Sequence, residues 1–363
     1  MTFLLSINFI ESDKFYQGEY YYLLLSSLLG ALVVSSSRDL LTIFIGIELA
    51  STPMFLLSGW KKGDRKSNEG AIKFFLLGVL SASLILYGFS LIYGLTGQLV
   101  FADISAYLLA NSLGSSPVLL LSAILVISGI GFKISVVPFH SWAPDTYEGA
   151  PLPITAYLSV SSKATGFVAL IVLLTKVFES SGQSWGVILA IVAGATMTLG
   201  NLVALQQTNP VRLLAYSSIS QAGFIIAPLA VSGITGNYQD GIFASVTYLI
   251  IYAFMNIGAF LSVHLFTNFT KSDNFYEWGG IAKHSPLTGV LTTVFFFSLA
   301  GIPPLGGWFA KFVVFRSLLS TGEIIGISLA IVGAINAVIA LVYYARISKV
   351  IWMDELKIHE VEK

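Results

Sequence analysis

The chain contains ten apolar segments, each long enough to form a helix across a lipid bilayer. A helix needs about 20 apolar residues to cross the hydrocarbon core. The segments do not alternate as the strands of a membrane barrel would, so helices are the way to satisfy their backbone in lipid. We therefore predict an all-α polytopic membrane protein with about ten transmembrane helices. The segments are residues 20–37, 40–60, 70–94, 117–138, 152–176, 184–206, 211–233, 241–267, 286–320 and 323–349.

The composition agrees with a membrane protein. Charged residues make up 10% of the chain, whereas soluble domains average about 25%. The net charge is zero, so nothing favours a nucleic-acid partner. The chain has no cysteine, which excludes disulfides, iron–sulfur clusters and thiolate zinc sites within it.

Basic residues in the loops and near the ends of the segments predict the orientation of the chain. Counting alternate loops places thirteen on one side of the membrane and three on the other. The positive-inside rule then puts both termini and the loop WKKGDRKSNE on the cytoplasmic side. The larger set is Lys14, Lys61, Lys62, Arg65, Lys66, Lys73, Arg212, Lys271, Lys283, Arg346, Lys349, Lys357 and Lys363, and the smaller is Arg38, Lys176 and Arg316.

Four ionisable side chains fall inside predicted spans: Glu48, Lys133, Lys163 and Lys311. Each charge in mid-membrane costs about 2.5–3.5 kcal/mol on insertion scales. For a single lysine near the end of a span, a structural explanation fits as well as a functional one, because the side chain can extend to the interface or be neutralised in a structural pair. Four such groups in one bundle favour a functional interpretation.

A buried lysine beside a carboxylate makes a switchable proton site. Low dielectric disfavours the charged amine, and a nearby carboxylate favours it. Moving the two groups apart or together therefore changes the proton affinity of the lysine. Glu48 and Lys133 are the natural pair in this sequence.

Two of the predicted spans are interrupted by proline. The fourth contains SVVPFHSWAPD and continues to about residue 150, and the ninth contains GIPPLGG. Unwound backbone at membrane depth marks ion sites in many transporters, although a simple kink is the alternative. Each interruption is the fourth span of one half of the chain. Since each half has five spans, the pattern predicts an inverted repeat, with repeats at 20–178 and 179–352 between a terminal segment 1–19 and a tail 353–363.

Other polar residues within the spans are candidates for a polar lining. LAYSSISQAG, residues 214–223, is dense in them. Serine and other small polar residues also serve as ordinary helix-packing contacts. Asp145 and Glu148 have the D-x-x-E spacing of a capping box, so we assign them a structural role. The candidates for the lining are His140, Ser217, Gln221, Asn256 and His264, with Ser161, Ser162, Tyr216, Ser218, Ser220 and Asn336 as further members.

The segment GFKISVVPFHSWAPDTYEGAPLPITAYLSVSSKA resembles the signature of the antiporter-like membrane subunits of respiratory complex I, NADH:quinone oxidoreductase. Within that family it is most similar to subunit N, which is called subunit 2 in mitochondria and has a counterpart in chloroplasts. LLSGWKKGDRKSNEGAIKFFLLG, LAYSSISQAGF and SLAGIPPLGGWFAKFVVF are similar to the same subunit. The chain departs from the pattern at its ends, where bacterial members have further spans.

The resemblance implies a proton-translocating subunit of the complex. Glu48 and Lys133 would form the modulated ion pair, Lys163 the central relay and Lys311 the lysine towards the exit, with His140 beside the first break. Quinone reduction elsewhere would drive the protonation changes. Flavin and iron–sulfur clusters would belong to other subunits, with no cofactor or metal in this chain. Neighbouring antiporter-like subunits and lipids would be the partners, in a bacterial inner membrane or an energy-transducing organelle membrane.

Three other interpretations fit parts of the sequence. A subunit of a cation/proton antiporter or of a hydrogenase-linked pump uses the same lysines. A haem-carrying membrane oxidoreductase would need two facing axial ligands, for which His140 and His264 lie near spans. An inert helical scaffold does not explain four charges in the membrane.

Overall fold

The fold is built from α-helices, as the apolar segments predict. The computed structural model describes residues 2–3, 6–7 and 18–355, and in these residues the only β-type pairing is an isolated bridge between Asp39 and Val100. The helices, numbered from the first that follows residue 18, are α1 (Glu19–Ser36), α2 (Leu40–Ser58), α3 (Arg65–Thr96), α4 (Phe101–Ala110), α5 (Pro117–Lys133), α6 (Trp142–Gly149), α7 (Leu152–Tyr157), α8 (Lys163–Lys176), α9 (Gly182–Ala204), α10 (Pro210–Thr235), α11 (Tyr238–Thr270), α12 (Ile281–His284), α13 (Pro286–Ala300), α14 (Gly306–Leu319) and α15 (Ile324–Met353).

The predicted spans are confirmed. Within the described residues, eight helical stretches are long and apolar enough to cross a membrane, with α7 and α8 counted together. The remaining two predicted spans are the interrupted ones. The fourth is divided into α5 and α6, and the ninth into α13 and α14. The short helix α4, between the third and fourth spans, was not predicted. Lys14, Lys357 and Lys363, with most of segments 1–19 and 353–363, lie outside the described residues.

The described part of the chain forms two compact units. The first comprises residues up to Val192 together with Leu229–Ile242, and the second Ala193–Pro228 together with the residues from Phe243. In the first unit, a Cβ placed on Gly30 of α1 would lie 2.3 Å from the backbone nitrogen of Ala50 on α2. Such close approach is typical of membrane helices that pack through small residues.

The second unit uses the same kind of packing. A Cβ on Gly200 of α9 would lie 2.7 Å from the backbone nitrogen of Ser220 on α10. A Cβ on Gly258 of α11 would lie 2.4 Å from the ring of Phe295 on α13. These contacts bring α9, α10, α11 and α13 close enough for short polar side chains to reach between helices.

Candidate functional site

The ion pair predicted from the sequence is present in the first unit. Lys133 is the last residue of α5, and its Nζ lies 3.5 Å from Glu48 Oε1 on α2. The same amine donates a hydrogen bond of 2.7 Å to the hydroxyl of Ser51. Glu48 and Ser51 are three residues apart on one helix, so they share a face. The Lys133 side chain is 7% exposed and that of Glu48 is 30% exposed, so the pair sits at the edge of the unit's interior.

The first helix break makes Lys133 the last residue of α5, at the C-terminal end of the helix where backbone carbonyls lack partners within the helix. The backbone nitrogens of Ser135 and Val136 bond to the carbonyls of Phe132 and Gly131, and Ser135 has φ 59°. This is a Schellman motif with serine in the left-handed position that glycine usually takes. The indole nitrogen of Trp142 on α6 donates 2.9 Å to Phe132 O. Because the last carbonyls of a helix carry partial negative charge, they favour a cation such as Lys133.

The second break has the same backbone motif. The nitrogens of Gly301 and Ile302 bond to the carbonyls of Ser298 and Phe297, and Gly301 has φ 92°. Lys311 reaches back from α14, and its Nζ donates 3.2 Å to Leu299 O and 2.6 Å to Ala300 O. The second break therefore presents helix carbonyls to a buried lysine amine, whereas the amine of Lys133 at the first break contacts Glu48 and Ser51. At the first break the lysine belongs to the helix that ends, and at the second to the helix that follows.

The Lys311 amine has a second kind of neighbour. It lies 5.1 Å from the ring centroid of Phe224 on α10, within the range of a cation–π contact. The side chain of Lys311 is buried within the second unit, with 4% exposed. Its environment is therefore two carbonyls and an aromatic face, rather than a carboxylate.

Lys163 lies in the first unit, directly after a π-helical segment. Leu158–Ser162 is π-helical between α7 and α8, and single π turns are frequent at functional sites. Lys163 is 1% exposed. One turn further along α8, a Cβ on Gly166 would lie 3.5 Å from Lys133 Cβ, so α8 packs directly against the end of α5. The fold thus places the helix of Lys163 beside the Lys133–Glu48 pair.

The segment after the first break is tied to α3 by ion pairs. Asp145 accepts 2.6 Å from Lys73 Nζ, and Glu148 accepts 2.8 Å from Lys66 Nζ. The prediction of a capping box for these two carboxylates is wrong, because they project sideways from α6 to lysines on α3. Their structural role is to hold α6, which in turn holds α5 through Trp142.

The predicted polar lining is only partly brought together. Gln221 Nε2 donates 3.1 Å to Leu299 O, the carbonyl that Lys311 also contacts. Ser217 hydrogen-bonds to the hydroxyl of Tyr344. Asn256 is fully buried in α11, whereas His264 is half-buried and contacts Asn268 at 3.1 Å on the same helix.

His140 is half-buried in the turn between α5 and α6, close in sequence to Lys133. Among the described residues no group of three histidine, aspartate or glutamate side chains has the arrangement of a metal site. The role of His140 in a polar lining stays a prediction.

Sequence reasoning did not find several buried partners of these groups. Ser51 was missed because an isolated serine in a span looks like ordinary packing. Tyr248, Tyr343 and Tyr344 were missed because tyrosine in an apolar run carries no charge signal. Their spacing on α11 and α15 gives no sign that their hydroxyls meet polar groups on α9 and α10.

Buried lysines at two broken helices define a class of protein: a polytopic helical membrane protein with ionisable side chains held within its spans. Residues 37–338 match the family described as NADH:quinone oxidoreductase/Mrp antiporter, transmembrane. The chain belongs to this family, as an antiporter-like membrane subunit of the N type of respiratory complex I.

Individual relatives support the assignment. The chain is 42% identical to NADH-quinone oxidoreductase subunit N 2 of Rhizobium meliloti over 98% of its own length and 72% of the relative. It matches a chain of respiratory complex I from Thermus thermophilus at 30% identity and TM-score 0.76, covering 97% of this chain and 75% of that one. It also matches a chain of the archaeal membrane-bound sulfane sulfur reductase at 26% identity and TM-score 0.86, covering 97% and 70%.

Proposed function

We propose that this chain translocates protons across the membrane as a membrane-arm subunit of NADH:quinone oxidoreductase. The observation that carries the proposal is the Lys133–Glu48 pair, buried at the end of a broken helix with 3.5 Å between amine and carboxylate. Relatives that match nearly the whole chain are named as subunits of that enzyme, which supports the assignment of the reaction.

The pair works as a charge-controlled proton site. While Glu48 is close, it stabilises the ammonium form of Lys133. Ser51 adds a neutral acceptor on the same amine, and the carbonyl end of α5, where Lys133 lies, favours a positive charge. A displacement of α2 relative to α5 weakens the carboxylate contact, and the amine then releases its proton.

Lys163 and Lys311 continue the route in this proposal. Lys163 receives the proton from Lys133, because α8 packs on the end of α5. Lys311 holds a proton against the carbonyls of Leu299 and Ala300, an arrangement that stabilises an ammonium without a permanent counter-ion. Water and the lining residues, His140 among them, join the sites. Quinone reduction in other subunits supplies the energy, at about 2.3 kcal/mol for each charge moved against 100 mV.

The same assignment also implies the partners of the chain, the location of the cofactors and the membrane. The partners are other membrane-arm subunits, neighbouring antiporter-like subunits among them, and lipids. The flavin and iron–sulfur clusters lie in other subunits. The membrane is the bacterial inner membrane or that of an energy-transducing organelle, with both termini on the cytoplasmic or equivalent side.

The test replaces each member of the pair in the complete complex. We expect Lys133→Ala and Glu48→Gln to assemble normally and to lower the number of protons moved per quinone reduced, measured in proteoliposomes with a pH-sensitive dye. Lys176→Ala is the matched control, because Lys176 is an exposed lysine at the end of α8 in the same unit. Unchanged proton stoichiometry in both pair variants would reject the proposal.

A further inference from the structure

An apolar groove lies between α2 and α3 in the first unit. Its volume is about 280 Å³, close to the lower end of the range for pockets that hold small molecules, about 300–1,000 Å³. The groove opens outward, since Leu41, Leu86 and Tyr93 on its wall are each about half exposed. Its apolar wall is formed by Leu40, Leu41 and Phe44 of α2 and by Leu86, Phe89 and Tyr93 of α3.

The packing of α2 and α3 on other helices explains the gap between them. α2 packs closely on α1 at Gly30, and α3 packs on α5 at Gly129, where a Cβ would lie 2.7 Å from Ser81 O. α2 and α3 meet near the loop that joins them, where the ring centroids of Phe55 and Phe74 lie 4.6 Å apart. Because each helix is held by a different neighbour, the two diverge towards their other ends, and the groove lies in that space.

The segment after α3 closes one end of the groove. The backbone nitrogen of Leu40 donates 3.0 Å to Leu99 O, and that of Phe101 donates 3.0 Å to Arg38 O. These bonds fasten the segment to the start of α2. Arg38 therefore lies at the closed end, two residues before Leu40, the first residue of the wall.

Arg38 is exposed and free to bind an anion. Among the described residues, no carboxylate forms an ion pair with its guanidinium. The neighbouring Asp39 is engaged as the N-cap of α2, where its carboxylate accepts 2.8 Å from Thr42 N and 2.7 Å from Thr42 Oγ1. A guanidinium is always charged and binds phosphate through paired hydrogen bonds. The closed end of the groove thus suits a phosphate group.

The depth of these residues in the membrane fits a phospholipid. Arg38 lies between two spans and Tyr93 in the last turn of α3, so both are placed near the lipid headgroups, where tyrosine is enriched. From Tyr93 back to Leu86 the groove follows α3 for about 10 Å towards the interior of the bilayer, as an extended acyl chain does. A net anionic headgroup gains more from Arg38 than a zwitterionic one, whose own cation is repelled by the guanidinium.

We propose that the groove between α2 and α3 binds one anionic phospholipid, with its phosphate on Arg38 and an acyl chain along Tyr93, Phe89 and Leu86. The guanidinium supplies charge-assisted hydrogen bonds, and the buried chain supplies the apolar contribution. The lipid belongs to the leaflet opposite to the basic loop between α2 and α3. The site is separate from the lysines of the proposed function and does not depend on them.

The test uses photoactivatable lipids with the complete complex. The complex is reconstituted in phosphatidylcholine vesicles that contain phosphatidylglycerol with a diazirine in its acyl chain. After irradiation, the labelled residues are mapped by peptide mass spectrometry. Vesicles with the same diazirine on phosphatidylcholine instead report ordinary contact with the bilayer.

Two variants change the site, and each has a matched control. Arg38→Gln removes the charge, and Arg316→Gln removes an exposed arginine of the second unit that is predicted on the same side of the membrane. Leu41→Trp fills the groove. Leu32→Trp places the same ring on α1, at a leucine that is 58% exposed, against 53% for Leu41, and does not line the groove.

We expect the phosphatidylglycerol probe to label the wall of the groove more strongly than the phosphatidylcholine probe. Arg38→Gln should lower that labelling about fivefold, the effect of one basic residue near an anionic surface. Leu41→Trp should abolish it, and both controls should keep the wild-type labelling. Equal labelling by the two probes, unchanged in Arg38→Gln, would overturn the anionic site. A groove that neither probe labels would overturn it too, because a protein segment then covers the groove.

The wild-type complex gives a second measurement that needs no substitution. Unlabelled phosphatidylglycerol should displace the phosphatidylglycerol probe from the groove, whereas the same amount of added phosphatidylcholine should not. Equal displacement by the two lipids would overturn the site. Labelling is measured without quinone reduction, so a failure of the lipid site leaves the proposed function standing, and the reverse also holds.

Discussion

At the scale of single residues, Lys133 shows how a cation is accommodated in a hydrophobic unit. Its amine has one carboxylate at 3.5 Å and one hydroxyl at 2.7 Å, and Lys133 is the last residue of its helix. Glu48 and Lys133 were predictable, since a charge inside an apolar run is costly and stands out. Ser51 was not, because its importance depends on α5 ending opposite it.

Removal of the Ser51 hydroxyl tests how much its hydrogen bond with the Lys133 amine contributes to stability and to proton movement. We expect Ser51→Ala to lower the stability of the assembled complex, because a hydrogen bond to a charged group contributes about 1.5–3 kcal/mol. Proton movement should fall as well, since Lys133 keeps only the longer contact with Glu48. Thermal unfolding and dye-based proton assays measure the two effects.

The control for this prediction is Ser83→Ala. Ser83 is exposed, and its hydroxyl bonds to Val79 O within α3, away from the pair. Equal melting temperatures for Ser51→Ala and Ser83→Ala would show that the contact with Lys133 contributes little.

At the scale of helices, the two breaks have the same backbone motif. Both end in a Schellman motif and have a buried lysine close by, and at the second break two helix carbonyls accept from that lysine. Proline predicted the positions of the breaks, because it removes a backbone donor and cannot continue a helix. The identity of the motif was not predictable, since the left-handed residue is serine at the first break and glycine at the second.

The second break depends on one close approach. A Cβ on Gly307 would lie 1.7 Å from Ser298 O, so any side chain there forces α13 and α14 apart. We expect Gly307→Ala to displace the carbonyls that hold Lys311, and so to reduce assembly or proton movement severely. Both are measured on the purified complex.

The neighbouring Gly306 provides a matched control for that substitution. A Cβ on Gly306 meets a side-chain atom of Ile251 at 3.3 Å and needs only a small adjustment. Gly306→Ala should therefore behave nearly as wild type. If the two alanine variants are equally active, the tight turn is not required to position Lys311.

At the scale of the whole molecule, we propose an orientation in the membrane from the distribution of basic residues. α3 has 32 residues and is about 48 Å long, enough for its two ends to lie on opposite sides of a bilayer. Lys61 and Lys62 precede its first residue, and Gln98 follows its last turn.

The absence of native cysteine makes this orientation testable. We expect Lys62→Cys to react with a membrane-impermeant maleimide from the cytoplasmic side, and Gln98→Cys from the opposite side, because both positions are exposed. Asp354→Cys, after α15, should follow Lys62→Cys. Reaction of Gln98→Cys from the cytoplasmic side would reverse the predicted topology.

The sequence by itself determined the class of fold, the spans, the positions of both breaks and the four charged groups within the membrane. These follow from local physics, because water-to-lipid transfer acts on each segment and each charge separately. The tertiary structure decided which neutral groups surround each lysine, that Asp145 and Glu148 pair with α3, and that tyrosines of α11 and α15 meet α9 and α10. Those contacts depend on how helices cross and how closely their small residues let them approach, which no single segment encodes.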